Sequence, residues 1–307
     1  MMTPNAPLKP SASSPVVLAH ISDVHLPPPS PLPGWRSFCN KRLLSLASWK
    51  RHRSHRHLRT LSDEILGDIA RLHPDLILNT GDLTNFGLTE EFQQGAAWLR
   101  RLPRPGLIVP GNHDAMVGQS WQDGAGLWSE WMERCGEDDF PYCRRFGEIA
   151  VIGVNSAVST PPFMACGRVG AEQRARLARL LDETRSLCRI VMIHHPPRRG
   201  LVPWRKSLLD HRRTAGVIAR HGAALVLHGH SHDGTIAAIP GSAIPLVGVA
   251  SASLRSSRSW RQAGWNRIAV RRDIGGSWEI DLDQRCFSPD DGWHILRRRH
   301  WSIRAES

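Results

Sequence analysis

An α/β fold is what the chain's pattern predicts, and three observations carry that expectation. Short β-branched runs alternate with segments of helical spacing along most of the 307 residues, and a 41% hydrophobic content suffices for a sizeable core. Five polar signatures, Asp23-Val24-His25, Gly81-Asp82, Gly111-Asn112-His113-Asp114, His194-His195-Pro196 and Gly229-His230-Ser231-His232, follow in order, four of them directly after such a run. In open α/β sheets ligands bind beyond the carboxyl ends of the strands, so signatures at strand ends can share one pocket.

Val16 to Ile21 is an apolar run that suits a buried strand with Asp23 and His25 at its tip. Leu26 to Gly34 is too rich in proline for regular structure, and Trp35 to Arg59 mixes Arg, Lys and His with Phe38, Leu43, Leu44, Leu46 and Trp49. Residues 27–59 therefore read as a basic insertion. Leu61, Ile65, Leu66 and Ile69 place a helix over Leu58 to Leu72, and Asp75 to Asn79 returns as a strand before Asp82. Thr89 opens a second helix, with Glu90 and Glu91 favouring its first turn. Leu107 to Val109 is a strand that leads into Asn112, and Gln119 to Cys135 reads as helical. Ile149 to Val154, Arg189 to Ile193 and Ala224 to Leu227 are strands; Ala171 to Thr184 and Leu208 to Arg220 are helices. Beyond Thr235 short strands separated by Gly, Pro or polar turns suggest an antiparallel second sheet. The expected organisation is a disordered lead-in over 1–15, one domain over 16–296 and a basic tail over 297–307.

Carboxylate, amide and imidazole groups are the ligands of divalent transition metals, so the five signatures read as one metal site. A two-metal site needs a carboxylate that bridges the ions, and Asp82, after a glycine that permits a sharp turn, is the natural bridge. Asn112 adds a neutral oxygen ligand, which limits the negative charge of the site. Each signature alone could be a cap, a turn or a solvated loop. His20 and His228 read as packed, hydrogen-bonded neighbours, and His52, His55 and His57 as a solvated basic face without the carboxylates of a third metal site.

The ordered set resembles the calcineurin-like metallophosphoesterases, whose pattern is D-x-H, G-D, G-N-H-D/E, a lone His and G-H-x-H. The resemblance spans Asp23 to His232 and implies a four-layer α-β-β-α sandwich of two mixed sheets flanked by helices. It implies two divalent ions, of iron, manganese or zinc, one held by Asp23, His25, Asp82 and His232, the other by Asp82, Asn112, His194 and His230. His194 rather than His195 takes the ligand place because Val191 to Pro196 matches the family's V-x-x-H-x-P. His113 would protonate the leaving oxygen or stabilise the phosphoryl charge, with Asp114 to orient it. The implied activity is phosphodiester hydrolysis by water activated at the metal pair. The His194-His195-Pro196-Pro197 block and the short tail resemble the bacterial cyclic nucleotide and glycerophosphodiester branch. Alternatives are a lipid-linked nucleotide pyrophosphohydrolase of the UDP-diacylglucosamine type, a nuclease, or a non-catalytic binding scaffold.

The net charge of +12 is carried mostly by arginine, lysine occurring only at Lys9, Lys41, Lys50 and Lys206. Such a balance suits a phosphorylated small molecule, nucleotide or phospholipid-derived, with an anionic membrane surface met through 35–59 as a second reading and nucleic acid as a weaker one. Asn155, at a strand end, and His195 are candidate substrate contacts; Arg255, Arg258, Trp260 and Trp265 read either as a base or sugar pocket or as core. The six cysteines show no C-x-x-C pair and no disulfide spacing. No segment has the roughly 18 apolar residues of a membrane span, so the expected location is cytoplasmic, with a peripheral membrane contact at most.

Overall fold

The computed structural model describes residues 14–133 and 136–304. The expected lead-in lies outside the described residues except for Ser14 and Pro15, as do Cys135 and the last three residues of the expected tail. Two six-stranded sheets pack face to face. The first runs β12-β11-β10-β1-β2-β3, in which β1 (Val16–Ile21), β2 (Leu76–Asn79) and β3 (Gly106–Ile108) are parallel. The second runs β4-β5-β6-β7-β9-β8, in which β5 (Ile149–Val154), β6 (Cys188–Ile193), β7 (Leu225–His228) and β9 (Pro245–Gly248) are parallel.

Period-two alternation explains the layers. In β6, Ile190 and Met192 join the core between the sheets, while Val191 and Ile193 face α4 (Ala171–Glu183) and α5 (His211–His221). Both faces of these parallel strands are thus buried, which is why they read as continuous apolar runs. On the other side α2 (Arg59–Leu72) and α3 (Thr89–Leu99) place Leu61, Ile65, Ile69 and Phe92 against the first sheet. The sandwich is α-β-β-α, as expected.

The C-terminal strands do not form an antiparallel sheet of their own. β8 (Ile236–Ala238) and β9 join the second sheet, and β9 lies parallel to β7. β10 (Gly264–Arg272) crosses to the first sheet, where Leu18 pairs with Ile268. β11 (Trp278–Ser288) and β12 (Gly292–Ile303) continue that sheet outward, so residues 297–303 of the expected tail are an edge strand. Their arginines and His300 project from this edge, the kind of charge that discourages pairing with another sheet. β4 (Tyr142–Phe146) is a further edge strand, masked in the sequence by Arg144 and Arg145. The stretch read as helical over Gln119 to Cys135 is a 3-10 segment over Ala125–Met132, because Gly124 and Gly126 beside Trp121 interrupt a continuous α ladder.

The insertion is ordered within its own small core. It contains α1 (Arg42–Ser48) and a π-helical turn over Trp49–Arg53. Phe38, Leu46 and Trp49 pack with Phe86 and Leu88, while Trp35, Leu43 and Leu44 remain exposed. Trp265 is a core residue, not a pocket wall, and Trp260 is exposed.

One buried ion pair ties α2 to the first sheet. Asp68 accepts from Trp265 Nε1 at 3.0 Å and from Arg285 Nε and Nη2 at 2.7 and 3.1 Å. Asp68→Ala would leave Arg285 uncompensated against the core, a loss of about 3–5 kcal/mol that urea unfolding would show as a lower midpoint.

Candidate metal centre

The seven expected ligands lie beyond the carboxyl ends of β1, β2, β3, β6 and β7, where the two sheets meet. Backbone bonds bring the first two ends together: Asp23 N donates to Gly81 O at 2.9 Å, and His25 N to Asp82 O at 3.0 Å. The second sheet closes on them when His230 N donates to Asp23 Oδ2 at 3.0 Å. Among the described residues eight non-glycine residues have positive φ, and five of them are Asp23, His25, Asp82, His230 and His232. Each left-handed residue costs on the order of 1–3 kcal/mol, a strain that concentrates where side chains must converge. Gly81, at φ 101°, supplies the turn before Asp82, and a Cβ there would lie 2.6 Å from Gly111 N.

Four groups of ligand atoms lie within 4.8 Å of one another: Asp23, His25 and His232; Asp23, Asp82 and His194; His25, Asp82 and His113; and His194, His195 and His230. Asn112 Oδ1 lies 3.2 Å from His194 Nε2, so it belongs with His194. Asp82 stands between the groups, 3.4 Å from His194 Nε2 through Oδ2. Ring orientations are set from behind. His25 Nδ1 is 3.1 Å from Thr84 O and His194 Nδ1 is 2.6 Å from Thr80 O, which leaves each Nε2 facing the pocket. His230 is held through the opposite nitrogen, its Nε2 being 2.8 Å from Lys206 O, which leaves Nδ1.

Electrostatics favour a cation here. Asp23 Oδ1 is buried without a hydrogen bond and lies 3.1 Å from His232 Nε2. Burial would raise the pKa of Asp23 and Asp82, but His232 beside the first and His194 and His113 beside the second outweigh it and hold both carboxyls below the ordinary range. Burial likewise opposes a charge on His194, yet Asp82 and Asp23 push its pKa up to about 9. Burial lowers His25 to about 4 and holds His230 well below the ordinary value, so both rings are neutral, the form that binds metal. Two buried carboxylates beside imidazoles and an amide oxygen fit divalent transition metals.

Three expectations need correction. Asp114 does not orient the His113 ring: its carboxylate accepts from Asp82 N and Gly111 N at 2.8 Å each and from Thr84 N at 3.0 Å. It ties together the loops that carry Asp82 and Asn112, while the His113 ring is set by Asn85 O, 2.8 Å from Nδ1. Asn155 lines a neighbouring cavity with Trp121 and Glu137, and its Oδ1 caps Ala157 N at 2.9 Å. His195 is fully buried, with Nδ1 2.9 Å from Ser156 Oγ and Nε2 3.2 Å from Ala165 O, so both of its ring nitrogens already have partners behind the pocket. His20 and His228 are packed neighbours as expected, bonded to Thr80 and Thr235.

Two residues of the insertion reach the site without a signal in the sequence beyond its basic character. His57, expected on a solvated face, stacks edge-on against His25 at 4.6 Å between centroids and lies 2.8 Å from Ser253 Oγ. Arg53 Nη1 lies 3.1 Å from His113 Nε2. The pocket that Arg53 borders has a volume of about 410 Å³ and is lined by Asp82, Asn112, His113, His230 and His232 among others. A methyl on Gly111 would collide with the Asp82 carboxylate. Gly111→Ala should therefore lower the metal bound per chain, read by plasma mass spectrometry, with the secondary structure kept in far-ultraviolet circular dichroism.

Comparison with known proteins agrees with this geometry. The chain is 28% identical over 228 residues to a probable cyclic nucleotide phosphodiesterase of Synechococcus sp., covering 71% of this chain and 80% of that protein. It is 28% identical over 126 residues to a probable glycerophosphodiester phosphodiesterase of Arcobacter nitrofigilis, covering 40% of this chain and 42% of that protein. In fold it is similar to a dimetal phosphatase from Danio rerio, with a TM-score of 0.60, 13% identity and coverage of 95% of this chain and all of that one. It is also similar to a purple acid phosphatase from yellow lupin, with a TM-score of 0.62, 13% identity and coverage of 95% and 54%. The model of the calcineurin-like phosphoesterase family matches residues 16–234, and the chain belongs to that family.

Proposed function

We propose that the chain hydrolyses phosphodiesters at a pair of divalent cations held as membership of the family implies: Asp23, His25, Asp82 and His232 for one, Asp82, Asn112, His194 and His230 for the other. The observation that carries this reading is the place of Asp82, whose carboxylate shares one ligand group with His25 and another with Asp23 and His194. Bound divalent cations would lower the pKa of water to near neutrality and neutralise phosphoryl charge. Nitrogen and oxygen ligands suit iron, manganese or zinc alike, and supply in the cell would select among them.

The chain's own groups orient the substrate. His113 borders the same pocket but belongs outside the ligand set; Asn85 O lies 2.8 Å from its Nδ1 and Arg53 Nη1 3.1 Å from its Nε2. From there His113 can act on the leaving oxygen. Asp114 acts through the backbone, holding Asp82 and Gly111 in register. Lys41 and Lys206 add positive charge to the wall, while Leu44, Met116 and Phe163 give it an apolar side for the organic part of a diester. The relatives named for cyclic nucleotides and glycerophosphodiesters support those two substrate classes first. No helix among the described residues is long and apolar enough to cross a membrane.

Bis-p-nitrophenyl phosphate should be hydrolysed with at least one of manganese, iron, cobalt or zinc, and chelation should abolish turnover reversibly. Inactivity with all four would favour the non-catalytic scaffold. A panel of cyclic nucleotides, glycerophosphodiesters, nucleotide sugars and single-stranded DNA under one metal condition would then rank substrates. His113→Ala should keep its metal content and lose about 10²- to 10⁴-fold in kcat. Full activity in that variant would remove His113 from the reaction.

A further inference from the structure

The basic insertion is built into the wall of the site. Phe38 and Trp49 pack edge-on against Phe86, with centroids 5.6 and 6.1 Å apart. Arg42 donates from Nε to Phe86 O and from Nη2 to Gln119 Oε1, both at 2.9 Å. On the other side of the pocket Lys41 Nζ donates to Thr160 Oγ1 at 2.6 Å and Met164 O at 2.8 Å. The segment is thus fastened at both rims of the cavity that holds the metal ligands.

Arg53 is the side chain that this framework turns inward. Its Nη1 lies 3.1 Å from His113 Nε2, and its Nη2 donates to Ser45 Oγ and O at 2.6 and 3.1 Å. Its Nε is buried with no hydrogen-bond partner among the described residues. The carboxylates that act on it electrostatically are Asp82 and Glu91, and burial disfavours its charge. A guanidinium cannot escape burial by losing its proton, and Arg53 lines the pocket, where the Nη1 proton not turned to His113 is a donor an anion can use. The planar fork of arginine matches two oxygens of one phosphoryl group, and a phosphoryl group is the anion that the metal pocket admits.

We propose that Arg53 binds a non-bridging oxygen of the substrate's phosphoryl group in the pocket beside His113, which makes residues 41–53 part of the active site. This rests on the phosphodiesterase reading. It differs from a role for Arg53 as a strut between Ser45 and His113, which would hold the insertion in place without touching substrate.

The test compares manganese-loaded wild type with Arg53→Gln, Arg53→Lys and Ser45→Ala. Metal per chain is read by plasma mass spectrometry, inorganic phosphate binding by titration calorimetry, and KM and kcat with bis-p-nitrophenyl phosphate. Arg53→Gln should keep its metal and bind phosphate on the order of 10- to 100-fold more weakly, as loss of a charged hydrogen bond predicts. KM should rise in parallel, Arg53→Lys should recover part of the loss, and Ser45→Ala, which removes one contact of the guanidinium but keeps its charge, should lose less phosphate affinity than Arg53→Gln. Unchanged phosphate affinity in Arg53→Gln, or an equal loss in Ser45→Ala, would overturn the proposal. If no form turns over the diester while phosphate binding still separates the variants, the phosphodiesterase reading fails and the anion site stands.

Discussion

Two carboxylates buried side by side are the constraint on which this molecule is built. Asp23 and Asp82 are fully or almost fully shielded from water, and each has charged or polar neighbours from the opposite sheet. Buried like charges are tolerated only where positive charge compensates them. The compensation comes from His194 of the second sheet, whose pKa the carboxylates raise, and, when loaded, from cations, so the site requires the face-to-face packing of the sheets. A core of apolar residues from both sheets supplies that packing.

Strain enters for the same reason. An extended strand would put Asp23 and His25 on one face but about 6–7 Å apart along it, too far apart to meet at one point. Left-handed backbone at five candidate ligands turns consecutive side chains toward a common centre. Backbone bonds between the ends of β1 and β2, and the three N–H groups gathered by Asp114, hold those turns. The carboxylate of Asp114 therefore serves the loops, although its place beside His113 suggests a partner for that ring. Adjacent residues in a tight turn point apart, and the turn decides which neighbour each one meets.

The insertion shows how local composition underdetermines direction. Arginines, histidines and large apolar residues crowd residues 35–59, and nothing in their spacing separates those that face water from those that face the site. Phe86 and Leu88, distant in sequence, draw Phe38, Leu46 and Trp49 inward, which leaves Leu43 and Leu44 outside. The same docking aims Arg53 at His113 and packs His57 on His25.

By itself the sequence determined the kinds of ligand, their order and the strands that deliver them. Metal chemistry needs particular residue types, and buried parallel strands need unbroken apolar runs, so both leave local marks. Ile190 to Ile193, followed at once by His194, is an example of both. The choice between His194 and His195 rested on the family's spacing; the packed fold puts Ser156 and Ala165 against both nitrogens of His195. Only tertiary structure decided which sheet β8 to β12 join, because strand pairing is a choice among partners distant in the chain. It alone brought Arg53 into the pocket, since a side chain's direction there depends on what its helix packs against.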